Sequence, residues 1–301
     1  MSVPAAYLTV IIIWSTTPLA IQWSGIGVGY EFGVAARMLI GLLALLLIVR
    51  LKGMPLPWNR HARMVYAVSG ISIFIAMSLV YWSAQYIPSG WISVIFGLAP
   101  IITSLFASLI LRENNLTAGR LLGMLLGLCG LAVVFAEGLS LNNAAWMGVA
   151  GITIGTIAHA LGAVLLQKLK TDLPAISITA GSLIVATPLF FINFALTQSW
   201  PQQISTTTLL SIIYLAIMGS AVGFPLYFYL LKKLNAERVA LIALITPVTA
   251  LLVGAFFNDE VVSSRVWLGS ALIITGLAIY EYGKHLPFSR KWQKRWKQRP
   301  L

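Results

Sequence analysis

Residues 100–132 read PIITSLFASLILRENNLTAGRLLGMLLGLCGLA, and residues 247–278 read PVTALLVGAFFNDEVVSSRVWLGSALIITGLA. In the first stretch Pro100 is followed thirteen residues later by Glu113, and then by Gly123, Gly130, Leu131 and Ala132. In the second, Pro247 precedes Glu260 by the same thirteen, and Gly269, Gly276, Leu277 and Ala278 follow. Each copy predicts an apolar helix with a central proline, a short acidic turn, and a second apolar helix with two glycines seven residues apart. Seven residues is close to two helical turns, so each glycine pair shares one helix face, which suits close packing. The chain is read as an internal duplication.

The surrounding composition sets the class. At 59% hydrophobic and 9% charged residues, with a mean hydropathy of +0.90, too little charge is available to cover a water-exposed surface. The apolar runs are continuous over about twenty residues rather than alternating at period two, which points to spanning helices and not barrel strands. Ten runs are predicted, at 4–23, 32–49, 64–84, 90–111, 118–136, 145–166, 174–196, 207–231, 236–257 and 265–283. The N-terminal run lacks a basic leader and reaches spanning length, so it is read as a retained span. Cys129 is the lone cysteine, which rules out an intrachain disulfide.

Charge placement orients the spans. Of the 20 Lys and Arg residues, 18 fall after the even-numbered spans or in the tail, and the opposite loops hold only Arg265 among the cations. By the positive-inside rule both termini are expected to be cytoplasmic. The net charge of +12 is therefore read as a membrane-facing asymmetry, and the tail SRKWQKRWKQRPL as a juxtamembrane anchor of cations and interfacial tryptophans rather than a nucleic-acid patch. The two copies lie five spans apart, an odd number, so they are expected to cross in opposite directions. That is the inverted-topology repeat of secondary transporters, and it implies alternating access to a midplane site. The expected units are a first five-helix repeat at 1–140, a second at 141–284, and a cytoplasmic tail at 285–301.

Ten spans in a five-plus-five arrangement, with the Pro-to-Glu spacing and the Gly, Gly-Leu-Ala pattern in both halves, resemble the EamA-type members of the drug/metabolite transporter superfamily. Trp14, Arg37, Glu113 and Glu260 fall where that family's weak motifs lie. The resemblance implies a central cavity lined by spans 1 to 4 and 6 to 9, with spans 5 and 10 peripheral. It further implies export of small metabolites, amino acids prominent among them, across a bacterial inner membrane.

Arg37 is expected about six residues inside span 2, roughly 9 Å below the outer boundary, and charge there should face the bundle interior or a wet cavity. It is read either as a bidentate site for a substrate carboxylate or phosphate, or as a structural residue that pairs with Glu31 or bonds helix-end carbonyls. His159, near the middle of span 6, is read as a cavity residue or as a helix-bonding imidazole. Trp14 occupies the corresponding depth in span 1. Aromatics at Trp82, Trp91 and Tyr227 are candidate lining residues, with Gln85, Ser93 and Thr246 as polar contacts. Interfacial belts are the competing explanation for many of the chain's aromatics. Pro100, Pro225 and Pro247 are candidate hinges or static kinks. The glycine faces are read as packing within one bundle, so a monomer is expected, with a dimer as the alternative.

Absences bound the chemistry. The chain has no nucleotide-binding loop, no zinc-ligand spacing and no nucleophile elbow, so neither ATP-driven pumping nor catalysis is expected, and no cofactor or metal is called for. An importer or exchanger of nucleosides, vitamins or phosphorylated metabolites is the alternative to an exporter, and an intramembrane enzyme the distant one.

Overall fold

The computed structural model describes residues 2–111, 118–141, 144–197, 200–201, 203–223, 226, 229–230, 233 and 236–282. Among these, every regular element is helical. In chain order they are α1 (Val3–Ser24), α2 (Tyr30–Leu51), α3 (Arg60–Ser83), α4 (Ser89–Phe96), α5 (Ala99–Ile110), α6 (Ala118–Leu141), α7 (Ala145–Lys168), α8 (Ala175–Thr197), α9 (Thr206–Tyr214) with a π-helical continuation (Leu215–Val222), α10 (Ala236–Phe257) and α11 (Ser264–Tyr282).

Local chemistry sets several of these ends. Asn59 caps α3 by accepting a hydrogen bond from the Ala62 amide at 2.9 Å, and Ser205 caps α9 by accepting from the Thr208 amide at 3.1 Å. At the end of α2, Gly53 adopts φ 57°, and the amides of Gly53 and Met54 return to the carbonyls of Arg50 and Val49. This is the left-handed turn with two reversed bonds that a C-terminal glycine allows. The Thr208 hydroxyl donates to the Ile26 carbonyl at 2.9 Å, tying the start of α9 to the link between α1 and α2.

Seven stretches are long and apolar enough to cross a membrane: α1, α2, α3, the α4–α5 pair taken together, α6, α7 and α8. Three further apolar helical runs are shorter, at Thr206–Val222, Leu244–Phe257 and Ser264–Tyr280. This falls short of the ten full-length spans expected from the sequence. Near the C-terminal half the residues adjoining these runs are partly outside the described set. The α6 surface carries Leu121, Leu122, Leu125 and Leu128 exposed, a covering that suits hydrocarbon and not water.

Packing builds one large core and two satellites. α3 lies against α7 and α8, α2 against α8, α1 against α9 and α10, and α4 against α10. Side chains from α2, α3, α4, α7 and α8 fill the main core, which includes Tyr81, Trp91 and Phe190. α1 and α10 share a smaller cluster around Val10 and Ile242.

α6 and α11 make the closest helix pair. A Cβ at Gly123 would lie 2.5 Å from the Gly276 carbonyl oxygen, and one at Gly276 would lie 2.6 Å from that of Gly123. Gly130 and Gly269 repeat the relation, at 2.6 and 3.0 Å. Because 123 meets 276 while 130 meets 269, the two helices run antiparallel. Each glycine of one copy meets the other glycine of the second copy, the reciprocal pattern of a local twofold. Only residues without a side chain permit this backbone approach.

The hairpins differ where the prolines stand. The first copy is broken: α4 ends at Phe96, Gly97 and Leu98 make a tightened turn, and Pro100 sits in the first turn of α5. Pro100 is thus not central in a continuous helix, as the repeat had suggested, but in a position where its missing N–H costs least. Pro247 does lie inside a continuous helix, α10, and its ring packs 3.4 Å from a Cβ built at Gly97. Pro225 lies outside the described residues.

Candidate functional site

Arg37 emerges from α2 into the interior and is only 6% exposed. Its Nη1 donates to the Tyr81 hydroxyl of α3 at 3.2 Å, and the guanidinium lies 5.9 Å from the Tyr81 ring centroid. Its Nη2 faces the π-helical segment, where a Cβ at Gly219 would approach to 3.2 Å. Its Nε is buried with no hydrogen-bond partner. Among the described residues Glu31 does not pair with it, and an ion pair joins Arg265 to Glu137 at 3.3 Å. A charge held away from water without a counter-ion is costly, by several kcal/mol on the order of a desolvated ion. Such a site gains from an arriving anion.

The neighbouring π-helical turn is itself a signature of a functional segment, since the wider coil spoils regular bonding and persists where something else requires it. Here Gly219 leaves room for the guanidinium. One turn of α2 further on, Gly41 lies against Ser220.

A second polar strip links α1 to α9 and α10. Thr16 and the Tyr214 hydroxyl are 2.6 Å apart, and Ser15 and Thr249 are hydroxyl partners at 2.5 Å. Sequence reasoning passed over these residues. The available signal was the Ser15-Thr16-Thr17 run in the middle of an apolar span, where hydroxyls need partners on other helices.

The sequence candidates scatter around these features. Trp14 is half-buried, with its Nε1 3.8 Å from a Cβ built at Gly223, beside the end of the π-helical segment. His159 is half-buried and stands 5.3 Å from Phe96 by ring centroids, so it faces α4 while Trp14 lies by the π-helical segment. Trp82 packs its ring onto Gly151 of α7, within 2.7 Å of a Cβ there, and stacks edge-on with Tyr86 at 5.0 Å. Trp91 is 1% exposed inside the main core, its Nε1 without a partner. Thr246 and Ser93 are buried. Gln85 is exposed just past α3 and donates only to the Trp82 carbonyl, at 3.4 Å, which places it away from the buried polar groups. Tyr227 lies outside the described residues.

Glu260 gathers a separate cluster. Its carboxylate accepts from the amides of Ser89, at 2.9 Å, and Gly90, at 3.3 Å, the first turn of α4. Asn258 donates to the same carboxylate at 3.1 Å and to Gln22 at 3.2 Å, and accepts from the Trp23 indole at 2.9 Å. An acidic group at a helix N-terminus satisfies orphan amides and the helix dipole together.

A helical, apolar chain with a buried cation that has no counter-ion among the described residues, and with a polar strip between its helices, defines a membrane protein with polar groups held in its interior. The comparisons give the family: the EamA-like transporter family profile matches residues 3–136 and 146–281, and the chain belongs to that family. It is 24% identical over 288 residues to the "Uncharacterized inner membrane transporter YedA" of Escherichia coli K12, covering 93% of this chain and 91% of that one. It is 24% identical over 282 residues to the "Probable terminal-alkyne amino-acid exporter" of Streptantibioticus cattleyicolor, covering 89% and 92%. One solved crystal structure superposes with a TM-score of 0.65 over 96% of this chain and 99% of its own, at 19% identity, a likeness of fold alone.

Proposed function

We propose that this chain is a secondary transporter of the bacterial inner membrane that exports a small amphipathic metabolite, with amino acids, aromatic ones included, as the leading class. Ten crossings form two inverted five-helix halves, both termini are cytoplasmic, and the halves rock to expose a central site alternately to each side. The chain works as a monomer. Support for the inversion comes from the reciprocal, antiparallel contacts of Gly123 with Gly276 and Gly130 with Gly269, and from the two separate stretches matched by one family profile.

The observation that carries the solute reading is Arg37, buried and without a carboxylate partner among the described residues. Its guanidinium binds the carboxylate of the cargo, with Tyr81 holding the fork in place, and the amphipathic remainder lies toward Trp14 and the Thr16–Tyr214 strip. Proteoliposomes containing the purified chain and labelled amino acids test this. Saturable flux of an intact solute, lost on Arg37→Leu, is expected. Chemical conversion of the solute, or undiminished flux in the variant, overturns the reading.

A further inference from the structure

We infer that Glu260 is a latch that closes one mouth of the solute route, and that releasing its grip on α4 accompanies opening to that side. The inference rests on the alternating-access reading above and assigns a moving part to it.

The α4 N-terminus has no cap of its own. Pro88 precedes it without a side-chain hydrogen bond, leaving the Ser89 and Gly90 amides to be satisfied from elsewhere. The cap arrives from the turn after α10, some 170 residues away in sequence. Helices are ordinarily capped by residues beside them, which move with them. A cap supplied by another hairpin instead ties two elements together, and it breaks if they part.

The same turn reaches a third element, since Asn258 joins Glu260 to Gln22 and Trp23 at the end of α1. Three helices are therefore pinned at one end of the bundle. Construction of the turn serves the grip: Asp259 adopts φ 50°, which turns the chain back on itself, and the Glu260 amide returns to the Gly254 carbonyl. A Cβ at Gly254 would meet the Glu260 carboxylate and push it from its place.

The energetic scale suits a latch. At the rim of the bundle water can replace the two amide bonds, so parting costs about what a lost helix cap costs, equivalent to roughly tenfold in a two-state equilibrium. A deep ion pair would cost far more and would hold the mouth shut.

Site-directed labelling of the full chain in vesicles tests this. In a Cys129→Ser background, Ser93→Cys reports the α4 face one turn inside the latch. Val261→Cys, at an 87% exposed position, identifies the membrane side that carries the turn. With a membrane-impermeant maleimide applied to that side, Glu260→Ala is expected to raise Ser93→Cys labelling about tenfold, and Gly254→Ala to raise it in the same direction with the carboxylate still present. Val134→Cys, buried against α11, should stay unlabelled. Labelling of Ser93→Cys that does not rise in either variant overturns the latch, even if the melting temperature falls, because a static cap would behave that way. A parallel rise at Val134→Cys also overturns it, by showing a loosened fold. No solute enters the assay, so its outcome is independent of whether amino acids are the cargo.

Discussion

Arg37 in α2 is buried beside Tyr81 and Gly219, whereas α8 (Ala175–Thr197) carries no charged residue and buries Leu183 in the main core. α2 lies in the first stretch matched by the family profile and α8 in the second. So the two halves share the positions that pack and differ at the position that carries charge. A duplicated scaffold needs matching surfaces wherever its halves touch, because each contact is made twice. A single solute anion needs one cation, and a second would repel the first across a low-dielectric interior. The difference separates the residues that build the frame from the one that, on the proposed reading, meets the cargo.

Making the halves alike is the strongest way to break this comparison. Arg37→Leu gives α2 the uncharged character of α8, and it is expected to lower solute flux by about 100-fold, the scale of losing a buried charge-assisted pair. Thermal stability in detergent should hold or rise, since an unpaired buried charge is removed. A fall in both would mean that Arg37 is a structural prop. Arg37→Lys keeps the charge but not the fork, so flux between the two limits is expected.

The frame gives the next largest effect. Gly123→Ala and Gly276→Ala place a methyl against the same opposed backbone, so each should destabilise the bundle by about 2 kcal/mol, in the range of overpacked contacts. Equal losses in detergent melting sharpen the twofold relation. Strongly unequal losses would break it.

This division explains what could be read without coordinates. The glycine spacing was legible because close approach of two helices forces small residues at a fixed period. Apolar length was legible for α1 to α8, where continuous runs match continuous helices or, in the fourth span, a pair with one turn between. The π-helical segment after Tyr214 was not, since nothing in LAIMGSAV distinguishes a widened coil from an ordinary helix. Arg37 stood out as an ionisable residue in an apolar run, but Tyr81 and Gly219 come from other elements and could only be found by folding the chain. Trp91 was legible as an aromatic in a span, but such a residue reads alike whether it lines a route or fills a core, and its burial came only with folding. Glu260 was visible as a motif while its role was hidden, for the amides that it caps belong to a helix in the other half.

Pro100 and Pro247 yield the finest comparison and the smallest effects. Pro247 interrupts a continuous α10, so Pro247→Ala restores an N–H inside the helix and removes a ring packed on Gly97. A stiffer α10 should slow flux several-fold while melting rises or stays level. Pro100 stands in the first turn of α5, after the helix has already been interrupted at Gly97 and Leu98. There the missing N–H forfeits little, and Pro100→Ala acts mainly by freeing the unfolded chain, a loss of about 0.5 kcal/mol. The two substitutions stand at matched places in the repeat, so sequence alone would give them equal effects. A larger flux defect in Pro100→Ala than in Pro247→Ala would mean that the turn at Gly97 depends on the proline, and that the first half bends where the second half does not.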